Sequence, residues 1–227
     1  VVGYDSNGKS GLESEANFQL LSSHEFFLNQ IRNEFMGTKN TGDTVVSTLN
    51  ADLQTTAYNS LGDRRGAVVA LEPSTGKILA MVSKPDFDPN TISENWDSLV
   101  NDETNSSLLN RATMGQYPPG STFKVVTALD YFRTHGSFNG FSFDCQGSIT
   151  KEGHTIQCYN GNVHGTEDFY TAFANSCNAF YASLGMELDI DQFGQLCNKM
   201  LFNTSLPTDL QASKSSFVLD KSDGSSA

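Results

Sequence analysis

Two short clusters in this chain combine residue types and spacing suited to nucleophilic chemistry. The first is Pro118-Pro119-Gly120-Ser121-Thr122-Phe123-Lys124. The Pro-Pro-Gly run predicts a helix start, and a serine and a lysine three apart on that helix share one face, about one turn from each other. The positive end of the helix dipole favours a developing alkoxide on Ser121 and helps depress the pKa of Lys124. A desolvated Lys124 sharing a hydrogen bond with the hydroxyl can serve as general base for acyl transfer. The bland alternative is ordinary capping chemistry with a solvated lysine. The second cluster, Asn175-Ser176-Cys177-Asn178, falls in a break between two predicted helices. There Ser176 can relay a proton between Lys124 and a leaving amine, and Asn178 can hold a peptide-like carbonyl. An S-x-N triplet alone carries little, since Ser and Asn favour helix breaks everywhere. Paired with S-x-x-K in this order, it becomes informative.

A competing motif lies at the start of the chain. Gly3-Tyr4-Asp5-Ser6-Asn7-Gly8-Lys9-Ser10 matches the phosphate-cradling pattern GxxxxGK[ST], but that chemistry needs a strand before the loop and a sustained helix directly after it. Only Val1 and Val2 precede it, Gly11 sits where the helix should be gaining strength, and no alternating succession of strands and helices is evident. Nucleotide binding is therefore not expected. The four cysteines, Cys145, Cys158, Cys177 and Cys197, form neither a CxxC pair nor a zinc pattern with clustered histidines, so no metal ligands are assigned and no cofactor is expected. Cys145 and Cys158 flank a predicted hairpin turning at Lys151-Glu152-Gly153. A disulfide between them would imply an oxidising, extracytoplasmic setting; the alternative is two reduced, half-buried thiols.

The elements that must position these groups are partly readable. Leu49, Leu53, Ala57 and Leu61 recur every fourth residue behind Asn50, predicting a capped helix ended by Gly62. The apolar runs 67–71 and 78–82, joined by Glu72-Pro73-Ser74-Thr75-Gly76-Lys77, predict an antiparallel hairpin covered on both faces. Residues 85–110 read as an extended surface segment. Further helices are expected after Pro119 to about Thr134, from a Thr166 cap to about Ala174, over 179–188, and over 189–200 with capping-box spacing from Asp189 to Gln192. Residues 1–44 resemble the tail of a preceding module, and the tail from Ser205 is polar.

Composition bounds the remaining classes. The 227 residues are 37% hydrophobic with 16 Phe, enough for a core. A formal charge of −12 without any basic cluster argues against nucleic acid and anionic lipid surfaces as partners. No apolar run approaches the ~20 residues that span a bilayer, and no signal peptide pattern is visible.

Taken in order, residues 8–13, 66–71, 75–83, 87–90, 117–124 and 176–178 resemble class B penicillin-binding proteins of Gram-positive type, whose signature combines S-x-x-K, S-x-N and K-T-G. The resemblance implies an α+β fold, the penicillin-binding/serine β-lactamase-like transpeptidase fold, with helices around an antiparallel sheet and a helical subdomain carrying the S-x-N loop. It implies a non-catalytic pedestal ending within residues 1–44 and the N-terminal part of the transpeptidase domain over residues 45–227. Ser121 is then the nucleophile toward the penultimate D-Ala carbonyl of a peptidoglycan stem peptide, assisted by Lys124 and Ser176, with Asn178 binding substrate. D-Ala leaves, an amine of a neighbouring stem attacks the acyl-enzyme, and β-lactams trap Ser121. Expected partners are stem peptides, β-lactam antibiotics and proteins of a cell-wall synthesis complex, on the extracytoplasmic face of the bacterial cell membrane and held there through an N-terminal anchor outside this chain. No K-[ST]-G follows Asn178, because Lys199, Lys214 and Lys221 lack the Thr-Gly or Ser-Gly. The fold is accordingly expected to be incomplete at its C-terminus, and these 227 residues alone inactive. The same resemblance leaves a β-lactamase or β-lactam sensor, and a non-catalytic structural component, as alternatives.

Overall fold

The computed structural model describes residues 8–24, 26–39 and 42–219. These residues fall into two compact units, one within 8–116 with 207–213 and the other within 117–206 with 214–219.

In the first unit, the short helices α1 (Gly11–Glu15), α2 (Asn17–Leu21) and α3 (Phe27–Met36) leave most of their large apolar side chains exposed. The helix after Lys9-Ser10 is five residues long, too short for the phosphate-loop reading, whose first residues, 3–7, lie outside the described residues. Helix α4 (Ala51–Leu61) starts where its cap predicts, with Asn50 Oδ1 accepting a 2.9 Å hydrogen bond from the Leu53 amide. It packs on a hairpin of β1 (Gly66–Leu71) and β2 (Ile78–Lys84), antiparallel with Val68 opposite Val82. Gln54 fixes helix to strand by donating to the Met81 carbonyl (2.7 Å) and accepting from the Met81 amide (2.8 Å).

Two expectations fail in this unit. The hairpin is not covered on both faces: Val68, Ala70, Ala80 and Val82 pack with Ala57 and Leu61, whereas Val69 and Leu71 remain 42% and 56% exposed. A continuous apolar run hides the two-residue period of a strand, so it does not reveal which face finds a partner. Residues 85–110 are not simply extended, since α5 spans Ile92–Val100. Ile92, Trp96 and Leu99 form its inward stripe at i, i+4 and i+7, and the polar residues between them mask it.

In the second unit, a 3-10 turn (Gly120–Phe123) leads into α6 (Lys124–His135), which ends at Gly136 in the left-handed conformation. Strands β4 (Ser148–Lys151) and β5 (His154–Gln157) form the predicted hairpin, with Glu152 and Gly153 both at positive φ in its two-residue turn. β3 (Phe143–Cys145) pairs antiparallel with β6 (Gly165–Glu167). Thr166 is therefore a strand residue and not a helix cap. Asp168 caps α7 (Phe169–Ala174) instead, exchanging hydrogen bonds with Thr171 in a capping box. α8 (Asn178–Gly185) comes after the break, and α9 (Ile190–Lys199) begins at Asp189, whose carboxylate accepts from the Asp191 and Gln192 amides.

The core of this unit sits directly behind the break. Phe180 and Leu184 of α8 are fully buried among Tyr131, Phe141 and Phe169, with the Phe180 ring edge-to-face on Phe141 and Phe169 at 5.1 and 5.2 Å. A second cluster joins Val126 of α6 to Phe193, Leu196 and Cys197 of α9. Among the described residues, no helix is long and apolar enough to cross a membrane.

Candidate active site

Ser121 lies within the 3-10 turn and Lys124 is the first residue of α6. Side chains three apart on a 3-10 turn eclipse one another, so both project to the same side. Gly120 allows the entry, at φ +55°, and Thr122 ties the turn down by donating to the Pro119 carbonyl at 2.6 Å. The facing group comes from the break between α7 and α8, where Ser176 adopts φ +51°, an unusual state for a non-glycine residue.

These two segments meet through a continuous hydrogen-bonded set. Lys124 Nζ donates to Ser176 Oγ (3.0 Å), to the Ser176 carbonyl (2.6 Å) and to Asn178 Oδ1 (2.7 Å). Ser176 Oγ in turn donates to Ser121 Oγ at 2.8 Å. Lys124 is thus linked to Ser121 through Ser176 rather than by the shared hydrogen bond expected from the sequence. Asn178 makes two contacts the sequence does not announce: its amide nitrogen donates to the Gln157 carbonyl at the end of β5 (2.9 Å) while its oxygen accepts from the ammonium. That leaves one amide N–H for a substrate carbonyl.

Burial pushes the Lys124 pKa below the ordinary lysine value, against the opposing charge of Cys177 and Cys158. The Tyr181 ring lies 5.5 Å from Nζ, and burial raises the Tyr181 hydroxyl to about 12. Glu167, only 1% exposed, accepts a 2.8 Å hydrogen bond from Asn175 Nδ2 and so anchors the residue before Ser176. The sequence singles out neither Tyr181 nor Glu167. By position alone Glu167 reads as a first-turn helix acid, and its partnership with Asn175 depends on β6 being a strand.

The expected disulfide is not formed. All four cysteines are free and buried, and the Cys145 and Cys158 sulfurs are 3.7 Å apart, far beyond the ~2.05 Å of an S–S bond. The hairpin does bring them together, but the Cys158 sulfur lies equally close to Cys177, at 3.8 Å. For Cys145, burial acts upward and is outweighed by hydrogen bonds from His164 and Gly147, which bring the thiol down to about 6.

Hydroxyl, hydroxyl, amine and carboxamide in one hydrogen-bonded chain form a constellation able to remove a proton from a serine and return it to a leaving group. Residues 66–227 match the family described as the penicillin binding protein transpeptidase domain. The peptidoglycan D,D-transpeptidase PbpA of Mycolicibacterium smegmatis is 34% identical to this chain, over 91% of it and 46% of that protein. The peptidoglycan D,D-transpeptidase MrdA of Acinetobacter baumannii is 32% identical over 74% of the chain and 26% of its own length. Among solved structures, the imipenem acyl-enzyme of penicillin-binding protein A from M. tuberculosis superposes with a TM-score of 0.83 at 29% identity, covering 94% of this chain and 54% of that one. A D,D-transpeptidase domain from Eggerthella lenta gives 0.81 at 27%, covering 93% and 47%. The chain belongs to the penicillin-binding protein transpeptidase family and has its α+β fold, and it spans just under half the length of the mycobacterial PbpA proteins it resembles.

Proposed function

We propose that this chain carries the nucleophile-bearing part of a peptidoglycan D,D-transpeptidase. Ser121 attacks the penultimate D-Ala carbonyl of a stem peptide, its proton passes through Ser176 to neutral Lys124, and an ester forms as the terminal D-Ala amine departs with that proton. The amine of a neighbouring stem peptide then displaces Ser121 and closes the cross-link. The observation that carries this reading is the hydrogen-bonded run from Lys124 through Ser176 to Ser121. Both hydroxyl protons rotate freely, so the same run conducts in either direction once Lys124 is neutral. Asn178 holds Lys124 in register and offers its remaining N–H to the substrate.

On this reading the protein works at the extracytoplasmic face of the bacterial membrane with other cell-wall synthesis proteins, and residues 1–44 end a non-catalytic module. β-Lactams acylate Ser121, as the imipenem complex of the M. tuberculosis relative supports. The test is intact mass of the protein expressed from its complete reading frame, after incubation with penicillin. One adduct per chain, absent in Ser121→Ala, is expected; an adduct retained in the variant would assign the nucleophile elsewhere. Rapid turnover of a chromogenic cephalosporin would make the protein a β-lactamase instead.

A further inference from the structure

Behind the S-x-N loop, three sulfurs and an imidazole converge. Cys145 ends β3, Cys158 comes directly after β5, His164 precedes β6, and Cys177 is the residue between Ser176 and Asn178. Their ligand atoms all lie within 4.8 Å of one another. Cys145 lies 3.7 Å from Cys158, Cys158 lies 3.8 Å from Cys177, and the Cys145 sulfur is 3.5 Å from His164 Nδ1. Four ligands arranged tetrahedrally at about 2.3 Å from zinc stand about 3.8 Å apart, and slightly less where one is a nitrogen.

The surroundings suit thiolates as well. The Cys145, Cys158 and Cys177 sulfurs accept backbone N–H groups of Gly147, Ala179 and Phe180 respectively, at 3.4 to 3.5 Å. Such donors stabilise a sulfur that has lost its proton, and fix its direction. The three cysteines are at most 2% exposed. A disulfide explains the arrangement less well, because any one pair leaves a third sulfur and the imidazole converging on nothing.

We propose that Cys145, Cys158, His164 and Cys177 form a structural site for one tetrahedral zinc ion, which clamps the S-x-N loop to the β3–β6 and β4–β5 strand pairs. Binding converts the thiols to thiolates, with their protons released to solvent. Because Cys177 sits between Ser176 and Asn178, the ion fixes the backbone that presents both to Lys124. It takes no part in the chemistry: it is a positioning device, and its effect on acylation rests on the function proposed above, whereas its existence does not.

The experiment uses the protein from its complete reading frame, purified with a phosphine reductant and without chelator. Elemental analysis should find one zinc per chain, and cobalt(II) exchange should give intense tetrahedral ligand-field bands with thiolate charge transfer. Cys158→Ser should lose the ion, whereas Cys197→Ser, whose sulfur lies in the other core cluster, should keep it. A reduced wild type that takes up neither ion, or a native Cys145–Cys158 disulfide found by peptide mapping, overturns the site without any variant having to fold. Stripping the ion should slow β-lactam acylation about 10- to 100-fold, as displacement of positioning groups does, and zinc should restore it. Unchanged acylation after stripping would overturn the clamping role. Absence of acylation in both states would instead remove the proposed function and leave the metal analysis standing.

Discussion

At the scale of single residues, the site turns on how Lys124 is held. Three acceptors surround its ammonium, which favours the charged form, while burial opposes it and brings the pKa down. In the proposed mechanism the acting base is the neutral amine, so acylation should rise with pH as Lys124 deprotonates, and the lowered pKa moves that rise down from the usual lysine range. Replacing Lys124 with Ala should slow acylation by about 10²- to 10⁴-fold; a loss under tenfold, by stopped-flow with a fluorescent penicillin, would give the proton to another group. Asn178→Asp tests the same contact with opposite emphasis. A carboxylate in place of Oδ1 would stabilise the ammonium and raise its pKa, so the pH profile of acylation should shift to higher pH. A shift to lower pH would mean that Lys124 is not the titrating base. Nothing local in the sequence announces these contacts, because Lys124 and Ser176 are 52 positions apart. The motif types are legible in the sequence; the order of the relay is not.

Among the elements, local chemistry is readable and pairing is not. α4 and α9 begin at Asn50 and Asp189 because a side chain there satisfies amides two or three residues on, a signal confined to a few positions. β3 and β6 are three residues each and pair across some twenty positions, so neither has enough length to display a period. The misplaced cap at Thr166 stems from that, as does the failure to see Glu167 and the cysteine cluster, whose ligands converge only once β3, β5 and β6 are in place. The caps and the core also differ in energetic weight. Asn50→Ala removes the acceptor for the Leu53 amide and should cost about 1 kcal/mol, read from the urea midpoint of Trp96 fluorescence in residues 1–227. Phe180→Ala empties a fully buried site behind the S-x-N loop and should cost about 3–5 kcal/mol, read by circular dichroism. Equal losses at the two positions would show that the α8 cluster is far looser than its aromatic contacts indicate.

For the whole molecule, the governing feature is apolar surface on narrow sheets. Each of the sheets among the described residues has two strands, and a two-stranded ribbon is marginal unless something covers it. α4 covers one face of β1–β2, leaving Val69 and Leu71 exposed on the other, and β1 has no strand partner on its outer edge among the described residues. Phe18, Phe26, Phe27, Phe35 and Met36 add further exposed apolar area in the first unit. Against this stands a formal charge of −12, which keeps copies apart near neutral pH at low salt and weakens as pH approaches the sequence pI of about 4.6. Residues 1–227 purified alone should therefore self-associate in a concentration-dependent way, more strongly in high salt and on acidification. The double variant Val69→Lys, Leu71→Lys should reduce that association, because it places two like charges on the uncovered face without touching the Ala57, Ala80 and Val82 packing beneath. Sedimentation velocity across a concentration series distinguishes the outcomes. A wild type that remains monomeric in high salt, or a double variant that associates as readily as wild type, would mean that the uncovered face of β1–β2 is not what drives these molecules together.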